Sequence, residues 1–189
     1  MPHATLRWTP AMVRALPDDG NRYELIDGML LVTPSPILLH QRAVSLLART
    51  LDDYVVSRGL GEVLTSPADL TLEPETIVQP DVFVAPLVDG ALPRQWTDVR
   101  GLLLAVEILS PGSRRHDRGT KRAFYARVGV PEYWIVDLDA RVVERWKPGG
   151  ERPELLDERL AWQPAGTDEP LELDLAALFA RVHGERMRT

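Results

Sequence analysis

Leu102–Leu109 is an apolar run broken by one residue, Glu107, and Tyr133–Val136 is a second such run. Apolar runs this short, bounded by turn residues, read as β-strands buried on both faces. Between them lie a Pro-Gly-Ser break (Pro111–Ser113) and a basic amphipathic helix. Strand, helix and strand in this length make a parallel crossover unit, which is right-handed by rule. Functional groups of such units gather beyond the carboxyl ends of the strands, and Glu107 lies near that end. A carboxylate inside a doubly buried strand is costly unless a charge, a hydrogen-bond network or a metal answers it.

The following helix offers an answer. Asp117, Lys121 and Tyr125 stand at i, i+4 and i+8 and share one face, so Lys121 can lean over Glu107. Ala123, Phe124 and Val128 form an adjoining apolar side for packing on the sheet. The chain has 20 Arg and only two Lys, Lys121 and Lys147. Arg is permanently protonated and planar, whereas a lysine ammonium is compact and tunable, so a lysine here points to chemistry; chance placement is the plain alternative.

A net charge of -6 does not advertise nucleic-acid binding. The charge is unevenly spread, however. Arg114, Arg115, Arg118, Lys121, Arg122 and Arg127 face a single nearby acid, Asp117. That excess is either a solvated helix face or a patch that tracks phosphates, with Arg114, Arg115, Arg118 and Arg122 as the contacts.

Hairpin and cap signals organise the remainder. Thr9-Pro10 caps a short helix that Pro17 ends. Asp27-Gly28 turns a hairpin whose first strand carries Glu24. Ser35-Pro36 caps a long helix over 37–56 with His40 in its first turns, read as a surface or packing residue or as a neighbour of the site. Gly61–Thr65 and Leu70–Leu72 read as strands, and Gln79–Pro86 as a strand entered through Pro80 with Asp81 at its mouth. Arg141–Lys147 alternates as a half-exposed strand returning from a Leu138-Asp139 turn, Leu155–Leu160 reads as an edge strand, and Asp174 caps a last helix over 175–182. Acids at the margins of strongly apolar strands are Glu24, Asp81, Glu107 and Asp137. The expected organisation is one domain over 1–189, with a core over 22–147 and a C-terminal strand and helix extension over 153–183. No apolar run approaches the roughly 18 residues of a membrane span, and MPHATLRWTP holds no signal-peptide core. Zero Cys excludes disulfides and thiolate metal sites, making the cytoplasm the default.

Pro80-Asp81, then Glu107-Ile108, resembles the PD-(D/E)xK motif of the restriction-endonuclease-like superfamily. Leu109 stands where the motif has Lys; in some branches that lysine sits on the following helix, where this chain has Lys121. The closer resemblance is to the Uma family of small bacterial endonucleases. It is carried by YELIDG (Tyr23–Gly28), PSP with His40, PDV (Pro80–Val82), VEILSPGS with Asp117, Lys121 and Tyr125, and GVPEYWIVD (Gly129–Asp137). The resemblance implies an α/β fold of mixed α+β character: a mixed sheet with a parallel-crossover core and flanking helices. It also implies the Ile108 carbonyl as a metal ligand.

The residues themselves suit Mg²⁺ or Mn²⁺. Such ions take oxygen ligands and keep several waters, so Asp81 and Glu107 plus a phosphate suffice. The ion would acidify a water, and Lys121 would orient that water or stabilise developing charge. Glu24, His40, Asp117 and Tyr125 are candidates for supporting these groups. The competing reading makes Asp81 a strand cap and Glu107–Lys121 a buried ion pair. Three functions follow: a metal-dependent DNA endonuclease, expected as a homodimer because cutting both strands needs two sites; an idle nucleic-acid- or protein-binding domain; or a phosphodiesterase acting on RNA or nucleotides.

Overall fold

The structure, a computed structural model, describes residues 7–185; of the stretch read for a signal peptide, residues 1–6 lie outside it. In order come α1 (Pro10–Arg14), β1 (Arg22–Ile26), β2 (Met29–Thr33), α2 (Leu38–Ser57), β3 (Gly61–Thr65), β4 (Val82–Pro86) and β5 (Leu104–Ile108). Then follow α3 (Arg114–His116), a π turn (Asp117–Lys121), α4 (Arg122–Arg127), β6 (Tyr133–Asp137), β7 (Val142–Trp146), β8 (Glu154–Leu156), β9 (Arg159–Trp162), β10 (Leu171–Asp174) and α5 (Leu175–Val182).

The main sheet has six strands in the order β3-β4-β5-β6-β7-β8. Its neighbours are antiparallel except β5 and β6, the pair joined by the expected crossover. Every residue of β5 and of β6 is buried, as two short apolar runs without polar alternation require. One face of the sheet (Val82, Val84, Val106, Ile108, Trp134, Val136) packs on Leu47 and Leu51 of α2 and Phe179 of α5. The other face (Phe83, Ala105, Tyr133, Ile135) packs on Phe124 and Tyr125 of α4 and on Ile26 and Leu31 of the hairpin. Strand alternation assigns Asp81 and Glu107 to this second face.

Several local signals are realised as read. Thr9 Oγ1 accepts from Met12 N at 3.4 Å, and Asp174 Oδ1 from Ala177 N at 2.8 Å, capping α1 and α5. Asp27 and Gly28 take φ of 54° and 77°, the paired left-handed conformation of a tight hairpin turn.

Other readings are corrected. The long helix starts at Leu38 with no side-chain cap, because Ser35 Oγ donates instead to the Gly20 carbonyl at 2.6 Å. Leu70–Leu72 is no strand; Leu70 makes a single bridge to Val78. Leu155–Leu160 divides into β8, on β7, and β9, which leaves the sheet to pair with the unforeseen β10. The β6–β7 connection spans the four residues 138–141 rather than two. Ala123 is exposed while Phe124 and Tyr125 are buried, because the wide π turn changes the helix phase ahead of them. Among the described residues, no helix is long and apolar enough to cross a membrane.

Candidate active site

Backbone geometry gathers the site. The register pairs Val82 with Val106 and Phe83 with Ala105, so one step further sets Asp81 opposite Glu107. The hairpin is pinned beside them by Leu25 N to the Ile77 carbonyl at 2.7 Å and Ile77 N to the Leu25 carbonyl at 2.9 Å. Arg22 and Glu24, two apart on β1, share the strand face that meets the cluster. The Gln79 amide N–H donates to Glu24 Oε1 at 2.8 Å. Asp117 and Lys121 occupy the two ends of the π turn, a wide turn that suits functional positions. A four-residue step overshoots one full α-turn by about 40°. The π turn offsets part of this drift, so Asp117, Lys121 and Tyr125 all stay on the buried side.

Lys121 Nζ sits 2.6 Å from Glu24 Oε2, 2.9 Å from Glu107 Oε1 and 3.7 Å from Asp117 Oδ1, with side chains at most 1% exposed. Tyr125 Oη donates to Glu107 Oε1 at 3.4 Å. Burial would discharge the lysine, but Glu107, Glu24 and Asp117 hold its pKa above the ordinary value. Burial pushes Glu107 well up despite Lys121, and the charges of Asp81, Asp117 and Glu24 add to the rise. Asp117 is likewise raised, chiefly by burial. Burial, then Glu107, keeps Tyr125 a protonated phenol.

Asp81 is held differently. Its Oδ1 accepts from Arg22 Nη1 at 2.6 Å, and its Oδ2 accepts from the Ile108 N–H at 2.8 Å and lies 3.1 Å from His40 Nε2. Burial alone would raise this carboxyl, but the His40 hydrogen bond and the Arg22 charge hold it well below the usual range. The structure therefore brings together Asp81, Glu107, Lys121, Glu24, His40, Asp117 and Tyr125. For Ile108 it shows the backbone amide, rather than the carbonyl, engaged at Asp81. Asp137 is not part of the cluster; it lies 3.2 Å from Arg118.

Sequence reasoning missed Arg22 and Gln79. The signal for Arg22 was present: it stands two residues before Glu24 on a strand, hence on the same face.

The charges do not balance. Four buried carboxylates (Glu24, Asp81, Glu107, Asp117) face two permanent cations, Arg22 and Lys121. Both oxygens of Asp117 are buried without a hydrogen-bond donor, whereas Glu24 Oε2 has the Lys121 ammonium beside it. Oxygen-only groups carrying excess negative charge, some of them orphaned, match what a hard divalent cation binds. Among the described residues no group of three His, Cys, Asp or Glu side chains is placed to hold a metal ion. An ion that takes one or two carboxylates and keeps its waters does not require one.

The arginines of the helix are less free than their sequence suggests. Arg118 Nε donates to Glu144 Oε1 at 2.7 Å as well as reaching Asp137, and Arg114 Nη2 donates to Asp139 Oδ2 at 2.7 Å. Arg127 pairs with Asp27 and Glu73. Arg122 stacks over Trp146 with its guanidinium carbon 4.5 Å from the ring centroid. Arg115 is exposed and has no ion-pair partner among the described residues. The acids that answer Arg114 and Arg118 come from β6, β7 and their connection.

A family model described as "Uma2: Putative restriction endonuclease" matches residues 10–178. A crystal structure titled as a "putative nuclease belonging to DUF820" from Anabaena variabilis is similar to the chain at a TM-score of 0.72 and 20% identity. The match covers 92% of this chain and 98% of that one, a likeness of fold. No curated protein matches the chain.

Proposed function

Since this chain belongs to the Uma2 family, we propose that it is a metal-dependent endonuclease hydrolysing DNA phosphodiester bonds at the Asp81–Glu107–Lys121 cluster. The observation that carries the reading is four buried carboxyl groups gathered around two cations, with both oxygens of Asp117 orphaned. Asp81 and Glu107 would hold Mg²⁺ or Mn²⁺, with the Ile108 carbonyl a third donor by resemblance. Bound there, the ion would acidify a water and stabilise charge on the phosphodiester.

The chain's own groups have separable roles. Lys121, kept protonated by its carboxylates, places an ammonium beside Glu107 to offset negative charge on the reacting oxygens. Tyr125 holds Glu107 Oε1, while His40 and the Ile108 amide orient Asp81. Glu24 and Asp117 fix the position of Lys121. Arg115 supplies a phosphate contact, with Arg114, Arg118 and Arg122 contributing where phosphates displace their present partners. A homodimer would supply two such sites, one for each strand of a duplex, in the cytoplasm of the cell.

The test is incubation of the purified protein with supercoiled plasmid and with RNA, in Mg²⁺, Mn²⁺ or chelator, beside Asp81→Asn. Metal-dependent nicking of DNA that Asp81→Asn lacks supports the reading; cleavage of RNA alone changes the substrate. A second reading rests on the saturation of Asp81 by Arg22, His40 and the Ile108 amide, the mark of a closed ion-pair network. It predicts a nucleic-acid- or protein-binding domain with no cleavage under any metal.

A further inference from the structure

We propose that Arg22 is a substrate-phosphate ligand that the free protein keeps parked on Asp81, so that Arg22 and a divalent cation are alternative partners of one carboxylate. The inference rests on the metal reading above and adds a residue to it. Arg22 Nη1 lies 2.6 Å from Asp81 Oδ1, where a cation shared with Glu107 would also have to bind. Two positive groups cannot both hold that oxygen closely, because each repels the other and the site excludes the water that would screen them.

Three observations say where Arg22 goes when displaced. Its side chain is 17% exposed whereas that of Lys121 is 1% exposed, so Arg22 is the permanent cation of the cluster that solvent, and hence a phosphate, can reach. Its Nε is buried without a hydrogen-bond partner, and the Nε–H points to the Nη2 side of the guanidinium, away from the Nη1 that Asp81 engages. Nε–H and Nη2–H form a planar fork of the kind that grips phosphate oxygens in pairs. Finally, Arg22 opens β1 in a separate two-stranded hairpin, so its side chain can swing without breaking the six-stranded ladder. Metal entry at Asp81 would therefore release the guanidinium at the mouth of the cluster, coupling metal binding to phosphate capture.

The coupling is tested without relying on cleavage. Mn²⁺ is titrated calorimetrically into wild type, Arg22→Gln and Arg22→Lys. Binding of a short DNA duplex is followed by anisotropy in chelator and in Mn²⁺, with a denaturing gel confirming that the duplex is intact. Arg22→Gln should bind Mn²⁺ about tenfold more tightly, since a charged hydrogen bond no longer competes for Asp81. It should also lose the gain in DNA affinity that Mn²⁺ confers on wild type, and Arg22→Lys should restore part of that gain. If Arg22→Gln folds poorly, Arg22→Lys still reads the competition as tighter Mn²⁺ binding, because a shorter point charge holds Asp81 less well. Wild type that binds no Mn²⁺ overturns the metal reading itself. Wild type that binds Mn²⁺ while both variants bind it equally or more weakly overturns only the parking of Arg22. Tighter Mn²⁺ binding with an undiminished metal-dependent gain for DNA removes Arg22 from the phosphate.

Discussion

Asp81 stands across from Glu107 on neighbouring antiparallel strands, one step beyond the Val82–Val106 pair, yet the two carboxylates answer to different cations. Arg22 holds Asp81 and Lys121 holds Glu107. Like charges directly opposite in a sheet repel, so the separate counter-ions are what let both acids persist on buried backbone.

Neutralising the two acids should therefore have unequal effects. Asp81→Asn takes the carboxylate from Arg22 and His40, and should cost about 3–5 kcal/mol, the range for breaking a buried pair. Glu107→Gln leaves Lys121 with Glu24 and Asp117 and removes a charge that the cluster already disfavours. Its effect in chelator should be within about 1 kcal/mol of wild type. Urea unfolding of the three proteins checks this; equal losses would mean that the acids are equivalent.

The pH dependence has a definite sign. Glu107 is raised above its ordinary 4.5, so between that value and its folded pKa the native state binds more protons than the unfolded chain. Its contribution is full below about pH 4.5 and is lost as pH rises through the folded pKa. Asp81 acts oppositely: its contribution is present above about pH 4 and is lost as pH falls further. Metal-free protein should be most stable in mild acid and weaken toward neutrality, and Glu107→Gln should flatten that decline. Urea midpoints across about pH 4 to 8 measure it.

Metal binding should release protons from the cluster, since burial shifts Glu107 toward its protonated form and a metal takes the carboxylate. Calorimetric titration with Mn²⁺ near pH 6, in buffers of different ionisation enthalpy, reads the number released. A heat independent of buffer would place the ion away from Glu107.

Removing Lys121 should damage the fold as well as the chemistry. Lys121→Ala strands three buried carboxylates and should cost about 3–5 kcal/mol in chelator. Lys121→Arg keeps the charge but forces a larger planar group into a space where the lysine side chain is 1% exposed, at about 1–3 kcal/mol. The Arg variant is the informative one for catalysis, because it should stay folded and still not cleave. Wild-type cleavage by Lys121→Arg would exclude the lysine from the reaction.

Among the arginines, Arg115→Ala should lower the slope of log affinity against log salt for DNA by about one unit. Arg118→Ala should lower that slope by less, because its charge must first leave Glu144 and Asp137. Affinity measured across a salt series distinguishes the two residues.

The local pattern of the sequence determined a good part of the fold. Two short apolar runs separated by a helix determined the parallel pair β5–β6, and period-two alternation determined that Asp81 and Glu107 share the face under that helix. Thr9 and Asp174 announced their caps because a cap is chosen within three residues. Lys121 over Glu107 was legible for a similar reason: 14 residues separate them inside one supersecondary unit whose handedness is constrained.

Only the tertiary structure decided how charge is shared. Arg22 reaches Asp81 across 59 residues, and that contact exists only because the Leu25–Ile77 bridge docks the hairpin beside β4. The basic helix appeared unpaired in sequence, and became largely neutralised once β6 and β7 brought Asp137, Asp139 and Glu144 against it. Spacing along a chain assigns a side chain to a face, whereas the energy of a charge depends on its distance to every other charge and on the water removed around it. Those quantities acquire values only when the strands and helices have closed on one another.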